Sequence, residues 1–579
     1  MKINKYILMA AALLTGVTAY ADDFDSFDDF GSFGDDTASA SLASKLEVNG
    51  SAETEIRAYL DTSDKEDKDG ADKVEMDVSP SASIDLTYSG NKSDISLTFK
   101  IDEDTINNHP ADVIDEAVLR AYFGNLTLEA GKMKVVWGKG DKLHVFDNFN
   151  ADDYSDFIIP DYLDRRISTP MVRAVYSLPF ANMNLEGVYT PLLPVDRFAT
   201  DGRWTPVQAG ALTRTVTDSA KARVAASTSW LEKIRMEAGR ASALKALMAA
   251  GNAEATTALT AMVTEAYSSG KISYTNEEVA ALLIKQGVNP LTANAAQKQG
   301  AAKAILAEKY QTYLTDELTA AETAYTLCLS NANSLSADPD VIYPDLWTLK
   351  YSQYGARVTA TLGQVDLGLS YYKGWYKQPS FNASKLDGFL TAYLAKGEVS
   401  EEEKFLAYDQ KQTFGLEASS VIWHFNVRGE FAYNLTADTD GTDPWVHNNS
   451  IAWLGGFDID LPFWNANLNI QETGTLILNG DECDKKAADV DYNKKGYTNN
   501  KVVGNITTSF FNDKLAPEVT VMYGIERGDL VVMPKLAFKP DQNLTLTASG
   551  MIIKAADEDS EFYNWRKNSF ASLTASYQF

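Results

Sequence analysis

Apolar and polar residues alternate along two long stretches near the start of the chain. In the first, 46–60, every second residue from Leu46 to Leu60 is apolar or small, and the residues between them are polar or charged. The second stretch, 74–88, repeats this pattern. A period of two is that of a β-strand with two unlike faces. A face this charged does not pack against a second sheet, so both stretches predict strands with lipid on one side and water on the other.

The alternation continues to the end of the chain and predicts about 18 strands. After the first two, the predicted strands are 93–102, 115–123, 126–136, 170–178, 183–190, 346–362, 365–376, 405–420, 422–435, 449–461, 465–478, 500–511, 515–525, 530–538, 543–553 and 569–579. Every second connection is short, as at 124–125 and 363–364, while those between are mostly long and polar, as at 137–169 and 377–404. Short turns on one side and long loops on the other are typical of an up-and-down membrane barrel.

Aromatic residues fall into two groups along the predicted strands. One group lies beside the short turns and comprises Tyr88, Phe123, Phe180, Trp423, Phe463, Phe510, Phe538 and Phe579. The other lies near the long loops and comprises Tyr59, Tyr189, Trp375, Tyr376, Tyr433 and Tyr523. Two such groups predict the aromatic girdles of a barrel at the two membrane interfaces.

The last strand, 569–579, ends the chain on an aromatic residue, with an apolar face that includes Leu573, Tyr577 and Phe579. It resembles the closing strand of Gram-negative outer-membrane β-barrels, in which this segment is read by the machinery that inserts barrels. The resemblance implies an all-β transmembrane barrel in the cell outer membrane, antiparallel and up-and-down, with about 18 strands (16–18). It also implies that these three residues form the membrane-insertion signal, and that the partners include outer-membrane lipid and the barrel-assembly machinery. We expect this strand to pair with 46–60, which would otherwise have an open edge.

The first 21 residues predict a signal peptide. Lys2 and Lys5 precede the apolar run 6–17 and a small-x-small cleavage site at 19–21. No later run reaches the roughly 18 apolar residues that a membrane helix needs. Residues 22–44 are acidic and Phe-rich, which favours a disordered periplasmic tail; a docking peptide for a periplasmic partner is the alternative.

Composition excludes some functions. A net charge of −28 argues against nucleic acid as a partner, because like charges repel. A mean hydropathy of −0.24 with 45% hydrophobic residues fits a barrel, whose apolar residues are rarely consecutive. The two cysteines, Cys328 and Cys483, are too few for a disulfide framework, and whether they pair stays open.

The water-facing sides of the predicted strands carry charges of both signs. The lumen-wall candidates are Glu53, Glu55, Arg57, Glu116, Arg120, Arg173, Arg357, Arg428 and Glu430. A barrel of 16 to 18 strands is wide enough for an aqueous channel, and charges on its wall bias which ions pass. The acidic excess predicts a mild preference for cations. For most of these residues the simpler interpretation is a solvated wall position.

The third long connection, 137–169, combines many apolar residues with many charges. Its apolar residues need burial, so we expect it to fold inward and to present charges to the pore. The constriction candidates are Asp147, Asp152, Asp153, Asp156, Asp161, Asp164, Arg165 and Arg166. In classical porins the third outside loop also folds inward, a resemblance of position only. The approach, 131–138 (GKMKVVWG), also looks like a segment of large outer-membrane barrels of unassigned function. An external plug or a subunit contact is the alternative.

The fourth connection predicts a separate domain. It divides the chain into an N-terminal barrel region (45–190), an extracellular insertion (191–345) and a C-terminal barrel region (346–579). Residues 218–331 of the insertion are Ala-rich and predict a bundle of roughly four helices. Asp218 is a candidate cap, Thr275 with Glu278 reads as a capping box, and Gly251, Gly270 and Gly287 punctuate the run. Nothing in this stretch indicates a ligand.

Two hypotheses of function follow. The first is a porin-like channel for passive diffusion of small hydrophilic solutes, mildly cation-preferring. The second is a surface-exposed binding or adhesion protein that uses the barrel as its anchor. The four histidines have no spacing that indicates a metal or catalytic site, so we expect no enzymatic activity, no cofactor and no metal. The solute is not identified, and an oligomer remains possible.

Overall fold

The computed structural model describes residues 46–61, 74–141, 143–480, 482 and 497–579. The predicted signal peptide, the acidic tail and Cys483 lie outside these residues. The chain divides into two units. The first comprises residues up to 209 together with 345–381 and 406–579, and the second comprises 210–344 and 382–405.

The first unit is built around one antiparallel sheet of 18 strands among the described residues. The strands, β1 to β18 in chain order, are Leu46–Tyr59, Met76–Ser89, Ser93–Ile101, Ile114–Phe123, Leu126–Met133, Thr169–Leu178, Met183–Thr190, Gln353–Leu362, Val365–Trp375, Gln410–Ile422, Phe425–Thr436, Ser450–Asp460, Asn467–Ile477, Thr498–Thr507, Leu515–Gly524, Leu530–Phe538, Leu544–Lys554 and Phe570–Gln578. Each strand pairs with the next along the chain, and β18 pairs with β1. The sheet is therefore a closed up-and-down barrel, and the predicted fold class is confirmed.

The pairing of β18 with β1 closes the barrel in the predicted way. Thr54 lies opposite Ala575, and Tyr59 lies opposite Phe570. Beyond the last paired residue of β18, Gly50 and Phe579 exchange two backbone hydrogen bonds of 3.0 Å each. The Phe579 ring covers Gly50 so closely that a Cβ at this position would overlap it. A glycine is therefore required where the chain end packs on β1.

Large apolar side chains are exposed on the outward face of the barrel. Leu119, Leu369, Leu416 and Leu573 are all more than half exposed. The residues beside them in each strand point to the opposite face, and apart from Val118 they are small, polar or charged, as Glu417 is beside Leu416. Because every second side chain points outward, the closed sheet turns one apolar surface towards its surroundings and one polar surface inward.

Several strand boundaries differ from those predicted; β14, for example, ends at Thr507 and not at 511. The strand predicted from 346 begins only at Gln353, as β8. Leu346 and Tyr351 instead pack with Leu193 in a cluster at the end of the barrel. β10 begins at Gln410, not 405, because Leu406–Ala407 pairs with Ser380–Phe381 outside the barrel. The turn between the predicted strands 405–420 and 422–435 lies at 423–424, since Ile422 still pairs with Phe425.

Shorter elements occupy the connections. The remaining strands are Ala151–Tyr154, Arg166–Ile167 and Arg197–Phe198, which form a small sheet, together with the pair named above. Short helices or helical turns lie at Glu103–Asn107, Pro110–Val113, Tyr162–Arg165, Phe180–Asn182, Pro339–Ile342, Leu349–Tyr351 and Tyr563–Trp565.

The long helices belong to the second unit, although the first of them starts three residues before it. They are α1 to α5, at Val207–Ala249, Ala253–Ser268, Asn276–Lys285, Ala295–Ala337 and Ala383–Lys396. Asp218 does not cap a helix, because α1 starts eleven residues earlier and continues through it. The capping box of Thr275 and Glu278 at the start of α3 is confirmed. Among the described residues, no helix is both long and apolar enough to cross a membrane.

The helical unit has its own core. The cluster includes Ala241 from α1, Leu259 and Val263 from α2, and Tyr310 and Leu314 from α4. The predicted breaks are confirmed, since Gly251, Gly270 and Gly287 follow helix ends with φ of +85°, +76° and +77°. Glycine adopts this left-handed conformation at little cost, which explains the punctuation.

Candidate functional site in the barrel lumen

A ladder of alternating arginines and glutamates lines one side of the lumen. Its members, one from each of β4 to β8 and one from β10, are Arg120, Glu129, Arg173, Glu186, Arg357 and Glu417. The nitrogen–oxygen distances along it are 2.6 Å from Arg120 to Glu129, then 2.9 Å and 2.7 Å from Arg173 to its two glutamates. Arg357 lies 3.8 Å from Glu186 and also bonds Glu417.

The last rung of this ladder crosses over β9. Gly368 lies opposite Glu417 on the neighbouring strand, and a Cβ there would overlap the Glu417 carboxylate. The glycine thus leaves the space through which Glu417 reaches Arg357. The period-two pattern places each of these charged residues on the inner face. Which positive and negative residues become neighbours around the wall depends on the register between strands.

The carboxylates of Glu129 and Glu186 are buried more deeply than the guanidinium groups of Arg120 and Arg173. The side chains of Glu129 and Glu186 are each 7% exposed, whereas Arg120 and Arg173 are 37% and 30% exposed. Each of these glutamates is bonded by arginines, which offsets the cost of removing its charge from water. The wall there is close to neutral and presents guanidinium edges to the lumen.

The segment 137–169 attaches to the wall next to the ladder through Glu430 on β11, which lies opposite Glu417 in the pairing of β10 with β11. This carboxylate accepts hydrogen bonds from the backbone N–H groups of Lys139 at 2.6 Å, Gly140 at 2.7 Å and Val145 at 3.0 Å. The Nδ1 atom of His144 lies 3.1 Å from the same carboxylate. One wall residue thus contacts four groups of the segment.

A second attachment involves Asp141. Its carboxylate bonds Arg428 on β11 and Asn469 on β13, and it lies 3.2 Å from Gln471 Nε2. Arg428 also bonds Asp458 on β12. The first turn of the segment is therefore held by three adjacent strands.

Aromatic packing continues the attachment along the segment. Trp137, Phe146 and Phe149 are fully buried among wall residues such as Tyr372 and Met171. The Phe149 and Tyr372 rings meet edge to face with centroids 5.2 Å apart. Burial of this many aromatic rings favours the docked segment by the hydrophobic effect.

A buried ion pair joins the middle of the segment to its end. Arg166 Nη2 lies 2.8 Å from Asp147 Oδ2, and the two side chains are 3% and 2% exposed. The Tyr162 hydroxyl also bonds Asp147. Burial raises the pKa of Asp147, although Arg166 and Tyr162 oppose this shift. For the Asp147 carboxylate, the cost of leaving water therefore exceeds the stabilisation that Arg166 and Tyr162 provide.

The segment then reaches the far side of the barrel. Asp156 binds Arg57 of β1 through two hydrogen bonds of 2.6 Å and 2.9 Å. Phe157 stacks on Trp204 at 5.1 Å and packs with Phe570 of β18 in a separate cluster. Contacts with β11 to β13 at one end and with β1 and β18 at the other mean that the segment crosses the lumen.

A cavity of about 1060 Å³ remains between the segment and the β1 and β14–β18 part of the wall. Nine acidic and five basic residues line it: Glu53, Glu55, Asp156, Asp161, Asp164, Glu518, Glu558, Asp559 and Glu561, with Arg57, Arg165, Lys501, Arg527 and Lys535. Two of the cations have carboxylate partners in the lining, since Arg57 binds Asp156 and Lys501 lies 2.8 Å from Glu561. The cavity is polar enough for water and carries net negative charge.

The predicted constriction residues divide between the cavity and the interior of the segment. Asp156, Asp161, Asp164 and Arg165 line the cavity. Asp147 and Arg166 form the buried pair, which does not face it. Asp152 lies 3.7 Å from Arg166, and Asp153 lies 3.0 Å from Arg197.

The predicted wall residues also divide. Glu53, Glu55 and Arg57 line the cavity; Arg120, Arg173 and Arg357 belong to the ladder; Arg428 and Glu430 hold the segment. Glu116 lies on the inner face of β4 beside the ladder.

Sequence reasoning did not single out Asp141, Lys501, Lys535 or Glu561. The period-two pattern could have identified Lys535 as a wall residue. It shares a face of β16 with Val531 and Met533 and is the one charged residue of that strand. Asp141 had no such signal, since its partners lie about 290 and 330 residues later in the chain.

No protein-family model matches the chain, and no curated protein matches it. Among solved structures, a BenF-like porin from Pseudomonas fluorescens Pf-5 is 8% identical, with a TM-score of 0.39 over 92% of this chain and 98% of that one. OccAB3 of Acinetobacter baumannii is 9% identical, with a TM-score of 0.37 over 93% and 99% of the two chains. OccK2 (OpdF) of Pseudomonas aeruginosa, solved with glucuronate, is 8% identical, with a TM-score of 0.38 over 93% and 99%.

At TM-scores below 0.5, the fold assignment rests on the strand pairing of this chain. A sheet that closes on itself has no unpaired edge, and its outward face is apolar. These are the two requirements for a sheet that spans lipid. The chain is an outer-membrane-type β-barrel of 18 antiparallel strands.

Proposed function

We propose that the chain is a channel for passive diffusion of small hydrophilic solutes, with a mild preference for cations. The observation that carries this proposal is the charged cavity between the segment 137–169 and the wall. Its lining has the polarity that a hydrated solute needs, and its barrel is in the size range that encloses an aqueous channel. The proposal assigns the chain transport without catalysis.

The preference for cations follows from the charges on that lining. Glu53 and Asp164 are exposed, and they lie near enough to interact electrostatically. A cation about 5 Å from one carboxylate in water-like surroundings is stabilised by about 0.8 kcal/mol. That energy corresponds to a factor of about four in cation occupancy per carboxylate.

Single-channel recording in planar bilayers tests the proposal. We expect steady conductance, and a reversal potential in a KCl gradient that indicates cation preference. Substituting Glu53→Gln with Asp164→Asn should move the reversal potential towards zero. Glu232→Gln with Glu308→Gln, which are exposed on α1 and α4, remove two charges from the helical unit and should leave it unchanged. A barrel that never conducts would overturn the proposal and leave the surface-binding hypothesis.

We also propose that the segment 137–169 narrows this channel. Its contacts with strands on both sides of the lumen support this role. Deleting residues 140–166 should raise the conductance, because the deletion removes most contacts of the segment with the wall together with its buried aromatic rings. Unchanged conductance in a folded deletion variant would contradict the assignment.

A further inference from the structure

The Glu430 carboxylate is enclosed by the start of the segment. Its Oε1 atom accepts from Lys139 N and Gly140 N and lies beside His144 Nδ1, while its Oε2 atom accepts from Val145 N. The side chain is 0% exposed. A buried carboxylate with this many donors is held in its charged form.

The backbone of residues 138–141 and 143–145 is shaped around that carboxylate. Gly138 has φ of +125°, and a Cβ on it would overlap both Glu430 and His144. A Cβ on Gly140 would overlap the Leu143 carbonyl. Successive backbone N–H groups that point into one concavity form an anion-binding nest. Here the anion is a side chain of the wall.

The nest connects to the rest of the segment. The His144 ring packs against the Tyr162 ring with centroids 4.8 Å apart, and Tyr162 bonds Asp147 of the buried pair. Displacement of the nest would therefore disturb contacts some twenty residues further along. Coupling of this kind runs through packed side chains and hydrogen bonds.

We infer that Glu430 is the positioning residue of the constriction, the anion around which residues 138–141 and 143–145 fold. This inference rests on the proposed channel function. It implies that the nest keeps its affinity for carboxylate when the wall group is removed. A small free carboxylate should then replace the missing side chain.

The test compares Glu430→Ala with Glu308→Ala, which removes an exposed glutamate from α4. Native-state trypsin cleavage after Lys139 reports whether the nest is intact, without reference to conductance. We expect cleavage to rise about tenfold or more in Glu430→Ala and to stay at the wild-type rate in Glu308→Ala, because cleavage follows the population of the open form. Formate, the smallest carboxylate, should slow the cleavage of Glu430→Ala.

Conductance gives the second measurement. Glu430→Ala should conduct more, with more current noise, and formate should restore the wild-type level. Cleavage and conductance equal to those of Glu308→Ala would overturn the inference while leaving the channel function intact. A wild-type barrel that does not conduct, with formate-sensitive cleavage in the variant, would overturn the function and keep the nest. If Glu430→Ala fails to fold, Glu430→Gln keeps the size of the side chain but removes its charge and replaces one of its two acceptor oxygens with an NH₂ group. An unaltered cleavage rate in Glu430→Gln would equally overturn the inference.

Discussion

The buried pair of Asp147 and Arg166 makes a quantitative prediction about the segment that crosses the lumen. Asp147→Asn removes the carboxylate charge and leaves a guanidinium that is 3% exposed. Breaking a buried pair from one side costs about 3–5 kcal/mol. Asp152 remains 3.7 Å from Arg166 and compensates in part, so we take the lower end, about 3 kcal/mol. At about 1.4 kcal/mol per factor of ten, the opening equilibrium of the segment should rise roughly 150-fold.

Hydrogen–deuterium exchange of the purified barrel measures this opening. Peptides from residues 143–168 should lose protection in Asp147→Asn, while peptides from β2 to β5 keep theirs. The matched control is Asp164→Asn on the same segment. Its side chain is exposed. We expect wild-type exchange from this control.

The double variant Asp147→Leu with Arg166→Met separates loss of charge from loss of shape. Burial already raises the pKa of Asp147 against the pull of Arg166, so the carboxylate side of the pair carries a desolvation cost. Apolar residues of similar size should therefore recover most of the lost protection. Less than a tenfold change in Asp147→Asn, or no recovery in the double variant, would refute this account of the pair.

Three other predictions concern barrel closure and the helical unit. Gly50→Val should displace the Phe579 ring. When samples are heated to a series of temperatures before SDS gel electrophoresis, the folded band of this variant should disappear at a lower temperature than that of the wild type. Gly187→Val on β7, whose Cβ meets no atom within 4 Å, should not lower this temperature. Thr275→Ala removes one half of the α3 capping box, should cost about 1 kcal/mol, and should raise amide exchange in Asn276–Lys285. Lys309 and the Thr275 N–H lower the pKa of Glu278. The stability that Glu278 adds to α3 is therefore present above the ordinary glutamate pKa of about 4.3, and it is lost as the pH falls through the lower pKa of the folded state. Protection of α3 should accordingly decline below about pH 4.3, and Glu278→Gln should remove that decline.

The strands were predictable because lipid and water impose opposite demands on neighbouring residues. Period-two alternation therefore marks each strand, and all 18 are present. The errors fall at the ends, where the membrane no longer imposes the pattern. Trp347, Leu349 and Tyr351 alternate with polar residues as in a strand, yet Tyr351 packs in a cluster outside the sheet. The turn with Trp423 was misplaced because an aromatic residue at φ of +59° gives no signal in the sequence.

The site was less predictable, because its contacts join distant regions of the chain. Composition alone indicates that 137–169 needs burial. The partner of its first turn is Glu430, nearly 300 residues away, and no local pattern links the two. For the same reason, Asp147 and Arg166 were grouped with residues that face the cavity, although they pair with each other away from it.

Because the segment 137–169 crosses the lumen, the width of the barrel and the width of its opening are determined by different parts of the chain. Eighteen strands fix the circumference of the barrel, but about thirty residues of a single connection contact its inner wall on both sides of the lumen. An exchange of these residues could retune which molecules fit, while every strand pair stayed in register. Two barrels with the same strand number therefore need not share a solute. The sequence of the segment that crosses the lumen, rather than the diameter of the barrel, is the property to compare between such proteins.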